Sequence, residues 1–139
     1  MTEKKFTIEV AESVLTEMFA PWVQELDIRI DKIDDGEAIL RVPTSKRLNR
    51  EGGTICGQAI MAVADTAMVF AISSALDKFA PMTTVSQSSS FLRAAADKDL
   101  ISHASIIKLG RTIVYGEVNI YTDTADKPVA HIISTYMLL

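Results

Sequence analysis

Residues 53–67 read Gly53-Thr54-Ile55-Cys56-Gly57-Gln58-Ala59-Ile60-Met61-Ala62-Val63-Ala64-Asp65-Thr66-Ala67. Glycines open the stretch, and an Ala- and Met-rich run follows that continues to about Asp77. The run is too long for a strand and is apolar almost all round, which predicts a helix from about Gly57 to Asp77 that other elements must cover on most sides. Asp65 falls about two turns into that helix and is the only acid in its interior. A covered helix carrying one carboxylate is the feature from which the rest of the chain is read.

On the N-terminal side, Ala11 to Val23 reads as a short helix, with Val14, Leu15, Met18 and Phe19 on one stripe and Pro21 disturbing its end. Glu25 to Ile33 alternates, placing Leu26, Ile28, Ile30 and Ile33 among charges. Asp34-Asp35-Gly36 is a turn signal, and Glu37 to Val42 puts Ala38, Leu40 and Val42 on one face, so the two segments form a hairpin. Pro43 to Thr54 is a polar loop ending in Gly52-Gly53.

Four strand-like segments follow the helix: Thr83 to Arg93, Asp99 to Lys108, Thr112 to Thr122 and Val129 to Leu138. Turns at Leu109-Gly110-Arg111 and Ala125-Asp126-Lys127-Pro128 separate the later ones. In the second, Ile101, His103, Ser105 and Ile107 share a face; in the third, Val114, Gly116, Val118 and Ile120 do. Strands joined by short turns favour an antiparallel sheet, here curled around the one apolar helix in an α+β arrangement. The Ser86 to Ser90 stretch is unusually polar for a central strand and fits a face lining water, a subunit interface or, equally, a polar wall for a bound acyl group. The chain cannot cover the other face and the edges of such a sheet, so an oligomer is expected.

The 139 residues suit one domain spanning 1–139 with a core that needs no staples. With 48% apolar and 23% charged residues the chain is globular in composition. A net charge of -4 without a basic run argues against nucleic acid as a partner. A single cysteine, Cys56, can form no internal disulfide and suits a reducing compartment. Two histidines and that cysteine, far apart in sequence, give no metal-ligand spacing, and no metal site is expected. Met1-Thr2-Glu3-Lys4-Lys5 leads into alternating polar and apolar residues rather than an apolar signal core, and the long helix carries Asp65, Thr66, Ser73 and Ser74. A cytoplasmic protein without a membrane partner is the expectation.

Two groups offer chemistry. Backbone N–H groups at the start of the long helix, near Gly57 and Gln58, lack intrahelical acceptors and stabilise negative charge. A thioester carbonyl turning into an oxyanion needs such donors, each worth roughly 3–4 kcal/mol of barrier. Asp65, in apolar surroundings, is costly to bury without partners and serves either a hydrogen-bond network or a reaction. Cys56, at the helix start, fits a small semi-buried residue better than a nucleophile, since no base stands near it in sequence.

The same residues resemble the hotdog-fold acyl-CoA thioesterases of the phenylacetate-degradation type, in the 4-hydroxybenzoyl-CoA thioesterase superfamily. That family's pattern reads Asn-x-x-Gly-x-x-His-Gly-Gly followed by a helical Leu-x-Asp-x-Ala. Gly53 to Gln58 and Val63-Ala64-Asp65-Thr66-Ala67 fall on it with the family's spacing, and Thr84-Val85-Ser86 and Phe91-Leu92-Arg93-Ala94 resemble the strand after the helix. The resemblance implies a hotdog fold and hydrolysis of a small acyl- or aryl-acyl-CoA thioester, without any cofactor beyond the coenzyme A of the substrate. It makes Asp65 the general base or nucleophile and Gly57 N–H the carbonyl donor. Thr84 would hold the attacking water, and Asn49 or Gln58 would contact thioester or carboxylate. It also implies a homodimer or a dimer-of-dimers homotetramer, with Asp65 of one subunit facing the glycine loop of another. Cys56 stands where the family carries His, Gln58 replaces the second Gly of the pair, and Asn49 is offset by one residue so that Arg50 takes the matching position.

Other residues are weaker candidates. Arg93, Arg111 and Lys108 suit either coenzyme A phosphates or plain solvation. His103 and His131 lie on alternating strands and read as sheet residues. Trp22, Met18, Met61 and Met68 read as core, although Met also suits an adaptable acyl pocket. Three alternatives stay open: a hotdog module that binds acyl-CoA without turnover, a hotdog hydratase or dehydratase, which would want a His beside its carboxylate, and a purely structural oligomer.

Overall fold

The computed structural model describes residues 3–139; Met1 and Thr2, the start of the polar N-terminus, lie outside them. Helix α1 (Ile8–Met18) and the single turn α2 (Pro21–Gln24) precede β1 (Arg29–Asp34) and β2 (Glu37–Val42). The long helix α3 (Gly57–Leu76) follows, and then β3 (Met82–Phe91), β4 (Leu100–Leu109), β5 (Ile113–Tyr121) and β6 (Ala130–Leu138). All strand pairs are antiparallel, in the order β1-β2-β4-β5-β6-β3.

The alternation of each strand sends one side toward α3. Ala38, Leu40 and Val42 of β2, Leu100 and Ala104 of β4, Val118 and Ile120 of β5, and Ile132 and Tyr136 of β6 are buried there. Ile101, His103 and Ser105 take the opposite, outer face. Helix α3 meets the sheet through Ala59, Ala64, Ala67 and Ala71, small residues that let the two layers approach closely. Burial on nearly all sides accounts for its continuous apolar sequence. Although α3 is long and apolar enough to cross a bilayer by composition, most of it is buried within the protein.

Two contacts tie the C-terminal end of α3. Ser74 Oγ accepts from Gly36 N–H at 2.8 Å, which anchors the Asp35-Gly36 turn; Gly36 has φ +86, where a side chain is strained. At the helix end Asp77 is left-handed (φ 56), and its Oδ1 accepts from the amides of Lys5 and Phe6, each at 2.9 Å. Phe6 and Phe19 both pack on Phe70, with ring centroids 6.2 and 5.7 Å apart. The N-terminal segment is thereby fastened over α3.

Three expectations need correction. The helix read over Ala11 to Val23 is two pieces: Phe19 and Ala20 are extended, and Pro21 starts α2, because a proline without an N–H fits the first turn of a helix and not its interior. The strand read from Glu25 begins only at Arg29, since Asp27 is left-handed (φ 58) and interrupts the extended chain. The serine-rich strand is not central. As β3 it pairs only with β6 and forms a sheet edge, and most of its side chains are exposed, which explains its polarity.

Candidate active site

Asp65 lies on the face of α3 directed at β3 and β6. Register sets its partners: Thr84 of β3 is opposite Tyr136 of β6, so both project from the helix side of the sheet. Thr84 Oγ1 donates to Asp65 Oδ1 at 2.9 Å. The Tyr136 hydroxyl donates to the same Oδ1 and also reaches the Asp65 carbonyl at 3.2 Å. Tyr136 is fully buried, and its phenol is raised well above its ordinary value, first by burial and then by the negative charge of Asp65. The carboxylate is therefore neither deeply buried nor unpartnered, as the apolar sequence around it suggested. It is half-buried and gripped by two hydroxyls.

Two clefts meet at Asp65. One, of about 480 Å³, is lined by Met18, Phe19, Val69, Phe79, Met82 and Thr84, among others. The other, of about 340 Å³, includes Trp22, Gln58, Met61 and Gln87. Met18 and Trp22, read as core from the sequence, are 62% and 56% exposed, and with Met61 they form cleft walls; Met68 alone of that set is fully buried. Gln87 braces β3 against the helix by donating to the Met61 carbonyl at 3.1 Å.

Gly57 opens a third cleft of about 440 Å³, walled by Arg50, Ile60, Phe91 and Arg93. Cys56 is the N-cap of α3 but makes no capping hydrogen bond through its side chain. The first intrahelical bond runs from Ile60 N–H to the Cys56 carbonyl, and among the described residues the amides of Gly57, Gln58 and Ala59 have no acceptor. Gly57 allows Phe91 to lie close: a Cβ there would sit 3.3 Å from the ring. These free donors are the second half of the expected chemistry.

The structure does not bring every candidate together. Gln58 lines one of the clefts that reach Asp65, whereas Asn49 opens on a small pocket with Ser45, Asp97 and Lys98. Arg50 is the one that shares the Gly57 cleft, as does Arg93, whose Nη1 donates to the Pro128 carbonyl at 2.9 Å. Arg111 lies exposed in the β4–β5 turn, at the end of the sheet away from Arg93. Cys56 faces Trp22, Arg47 and Gln58. Neither histidine approaches it: His103 pairs with Glu37 at 2.8 Å and His131 with Glu117 at 3.2 Å, both on the outer face. Tyr136 is the residue that sequence reading missed. Its signal was a hydroxyl-bearing aromatic at an inward position of the last strand, in line with Ala130, Ile132 and Ser134.

Gly57 and Asp65 are eight residues apart on one helix, a separation of about 12 Å along its axis. One carbonyl carbon cannot sit within hydrogen-bond reach of both in a single protomer.

A six-stranded antiparallel sheet wrapped on one long central helix is the hotdog fold. The chain belongs to the thioesterase superfamily: residues 52–129, more than half of it, match that family's model. It is 35% identical over 108 residues to "Putative esterase VNG_1336C" of Halobacterium salinarum, covering 73% of this chain and 71% of that one. It superposes on a "putative thioesterase" from Silicibacter sp. TM1040 with a TM-score of 0.85 and 30% identity, covering 99% and 94% of the two chains. With the PaaI protein of the Escherichia coli phenylacetic acid degradation operon the TM-score is 0.84 at 18% identity, over 99% and 96% of the chains, a likeness of fold.

Proposed function

We propose that the protein is an acyl-CoA thioesterase that hydrolyses a small acyl or aryl-acyl thioester by Asp65-assisted attack of water. The observation that carries this reading is the Asp65 carboxylate, fixed by Thr84 where two largely apolar clefts meet. The Thr84 hydroxyl spends its one proton on Asp65, so toward a water it acts as acceptor. A water held by Thr84 and Asp65 has both protons engaged and a lone pair free. Its oxygen bonds to the thioester carbon as Asp65 takes one proton, and the carbonyl oxygen gains charge against the Gly57 amide. Collapse breaks the C–S bond, the departing thiolate takes the proton back from Asp65, and the products are a carboxylic acid and coenzyme A. The clefts give an apolar acyl group a place beside the carboxylate, with Gln58 at its rim. Arg50, Arg93 and, from another part of an assembly, Arg111 offer charge for the phosphates of coenzyme A.

The 12 Å separation calls for a second subunit. We infer a homodimer, or a tetramer of two dimers, in which Gly57 of one chain faces Asp65 of the next. The ten-residue β3 edge is unpaired on its outer side, and the exposed apolar residues Val85, Phe91, Leu92 and Met61 gather around it, which supports pairing there. The absence of a histidine beside Asp65 among the described residues disfavours hydratase chemistry.

Thiol release from a panel of acyl-CoA esters tests the proposal. Wild type should liberate coenzyme A and the free acid, and D65N should lower kcat/KM at least 100-fold with the oligomer intact. Binding of acyl-CoA without turnover by wild type would sink the hydrolase reading in favour of a ligand-binding module.

A further inference from the structure

A carboxylate has two oxygens, and here they are not equivalent. Thr84 Oγ1 and the Tyr136 hydroxyl both donate to Oδ1, which fills its two lone-pair directions. Oδ2 has no donor among the described residues. The two hydroxyls come from adjacent strands at one register position, so the sheet holds the plane of the carboxyl group as well as its place.

We propose that Tyr136 is a positioning residue: together with Thr84 it pins Oδ1 of Asp65, so that Oδ2 alone is left to take the proton of the attacking water. The inference rests on the hydrolase reading above and deepens it by naming the reacting oxygen and the residue that selects it.

Three features make Tyr136 suited to this. It is fully buried, so its ring cannot swing away and its O–H direction is set by packing. Burial and the neighbouring negative charge hold the phenol protonated throughout the neutral range, so it is always the donor and never a competing base. Its second contact, to the Asp65 carbonyl at 3.2 Å, fixes the hydroxyl against the backbone of the same residue. Among the described residues, no other ionisable side chain lines either cleft at Asp65. With Oδ1 saturated, the lone pairs of Oδ2 are the ones open to a water, and proton transfer runs in one direction. Loss of the Tyr136 hydroxyl frees the carboxyl group to rotate.

The test uses the intact oligomer of wild type, Y136F and T84A, each checked for native unfolding midpoint and size. Y136F should lower kcat by about 10- to 100-fold with KM changed less than about 3-fold. The double variant should lose less than the product of the single losses, because both hydroxyls act on one oxygen. The carboxyl carbon NMR signal of Asp65, assigned through D65N and read at neutral pH without substrate, gives a readout independent of turnover. It should shift and broaden in Y136F as the carboxyl group loses a donor to Oδ1 and gains freedom to rotate. An unchanged signal in Y136F, or a kcat at the wild-type level, overturns the proposal. A changed signal in a protein that hydrolyses no acyl-CoA leaves the Tyr136–Asp65 arrangement standing and fails the hydrolase reading instead.

Discussion

Gly116 of β5 offers a test that links packing to the site. It faces α3, and a Cβ built there would lie 2.4 Å from Met68 Cε, 2.9 Å from Met68 Sδ and 2.8 Å from the Ser105 carbonyl oxygen. The thioether end of Met68 is flexible and can swing aside, but the Ser105 carbonyl belongs to the paired strand β4 and moves only if β4 and β5 shift together. Gly116→Ala should therefore cost about 2–3 kcal/mol, the upper part of the range for an added methyl in a tight core. Met68→Ala empties space in the same place and should cost about 2–5 kcal/mol by itself. In the double variant the methyl enters that space, so the total should fall short of the sum by at least about 1 kcal/mol. Urea unfolding with unchanged slopes measures all three variants. Activity should fall with Gly116→Ala as well. Met68 is one turn beyond Asp65, and Gly116 pairs with Ser134, two residues before Tyr136. Lifting the helix there pulls the carboxylate from its hydroxyls, and displacements on the order of 1 Å cost roughly 100-fold in rate. Wild-type stability in Gly116→Ala, or costs that simply add, would refute the claim that this glycine sets the spacing of helix and sheet.

Two further outcomes follow from the C-terminal end of α3. Ser74→Ala removes the acceptor for the buried Gly36 amide and should destabilise by about 1–3 kcal/mol in thermal or chemical unfolding, with little effect on kcat because the turn is remote from Asp65. Asp77 is held below its ordinary value by the Phe6 and Lys5 amides, so its contribution to stability is complete above about pH 3.8 and is lost as pH falls through the lower native value. Asp77→Asn keeps an acceptor and tolerates the left-handed backbone, so unfolding curves should show a small change at neutral pH and a weaker loss below pH 3.8 than wild type; Asp77→Ala, which loses acceptor and backbone fit together, should be the least stable of the three.

The parts of this fold legible in the sequence are those where one local pattern decides one local outcome. The apolar run from Gly57, the Asp35-Gly36 turn and the two-residue alternation of β2, β5 and β6 each carry their own signal, and each element was found within a residue or two of its place. What failed was long-range. The serine-rich β3 has the length of an inner strand, and only the order of pairing, which no local pattern encodes, puts it at the edge. Asp65 looked isolated because its partners are 19 and 71 residues away along the chain. Tyr136 drew no notice because an inward tyrosine on a strand has no mark to say that its hydroxyl meets a carboxylate. The same reasoning bears on the oligomer. A helix fixes the distance between Gly57 and Asp65 whatever the rest of the chain does, and that distance is too great for one substrate carbonyl. That is why we propose that a second copy completes the site, and why we propose the edge of β3, which pairs only with β6, as the place where it joins.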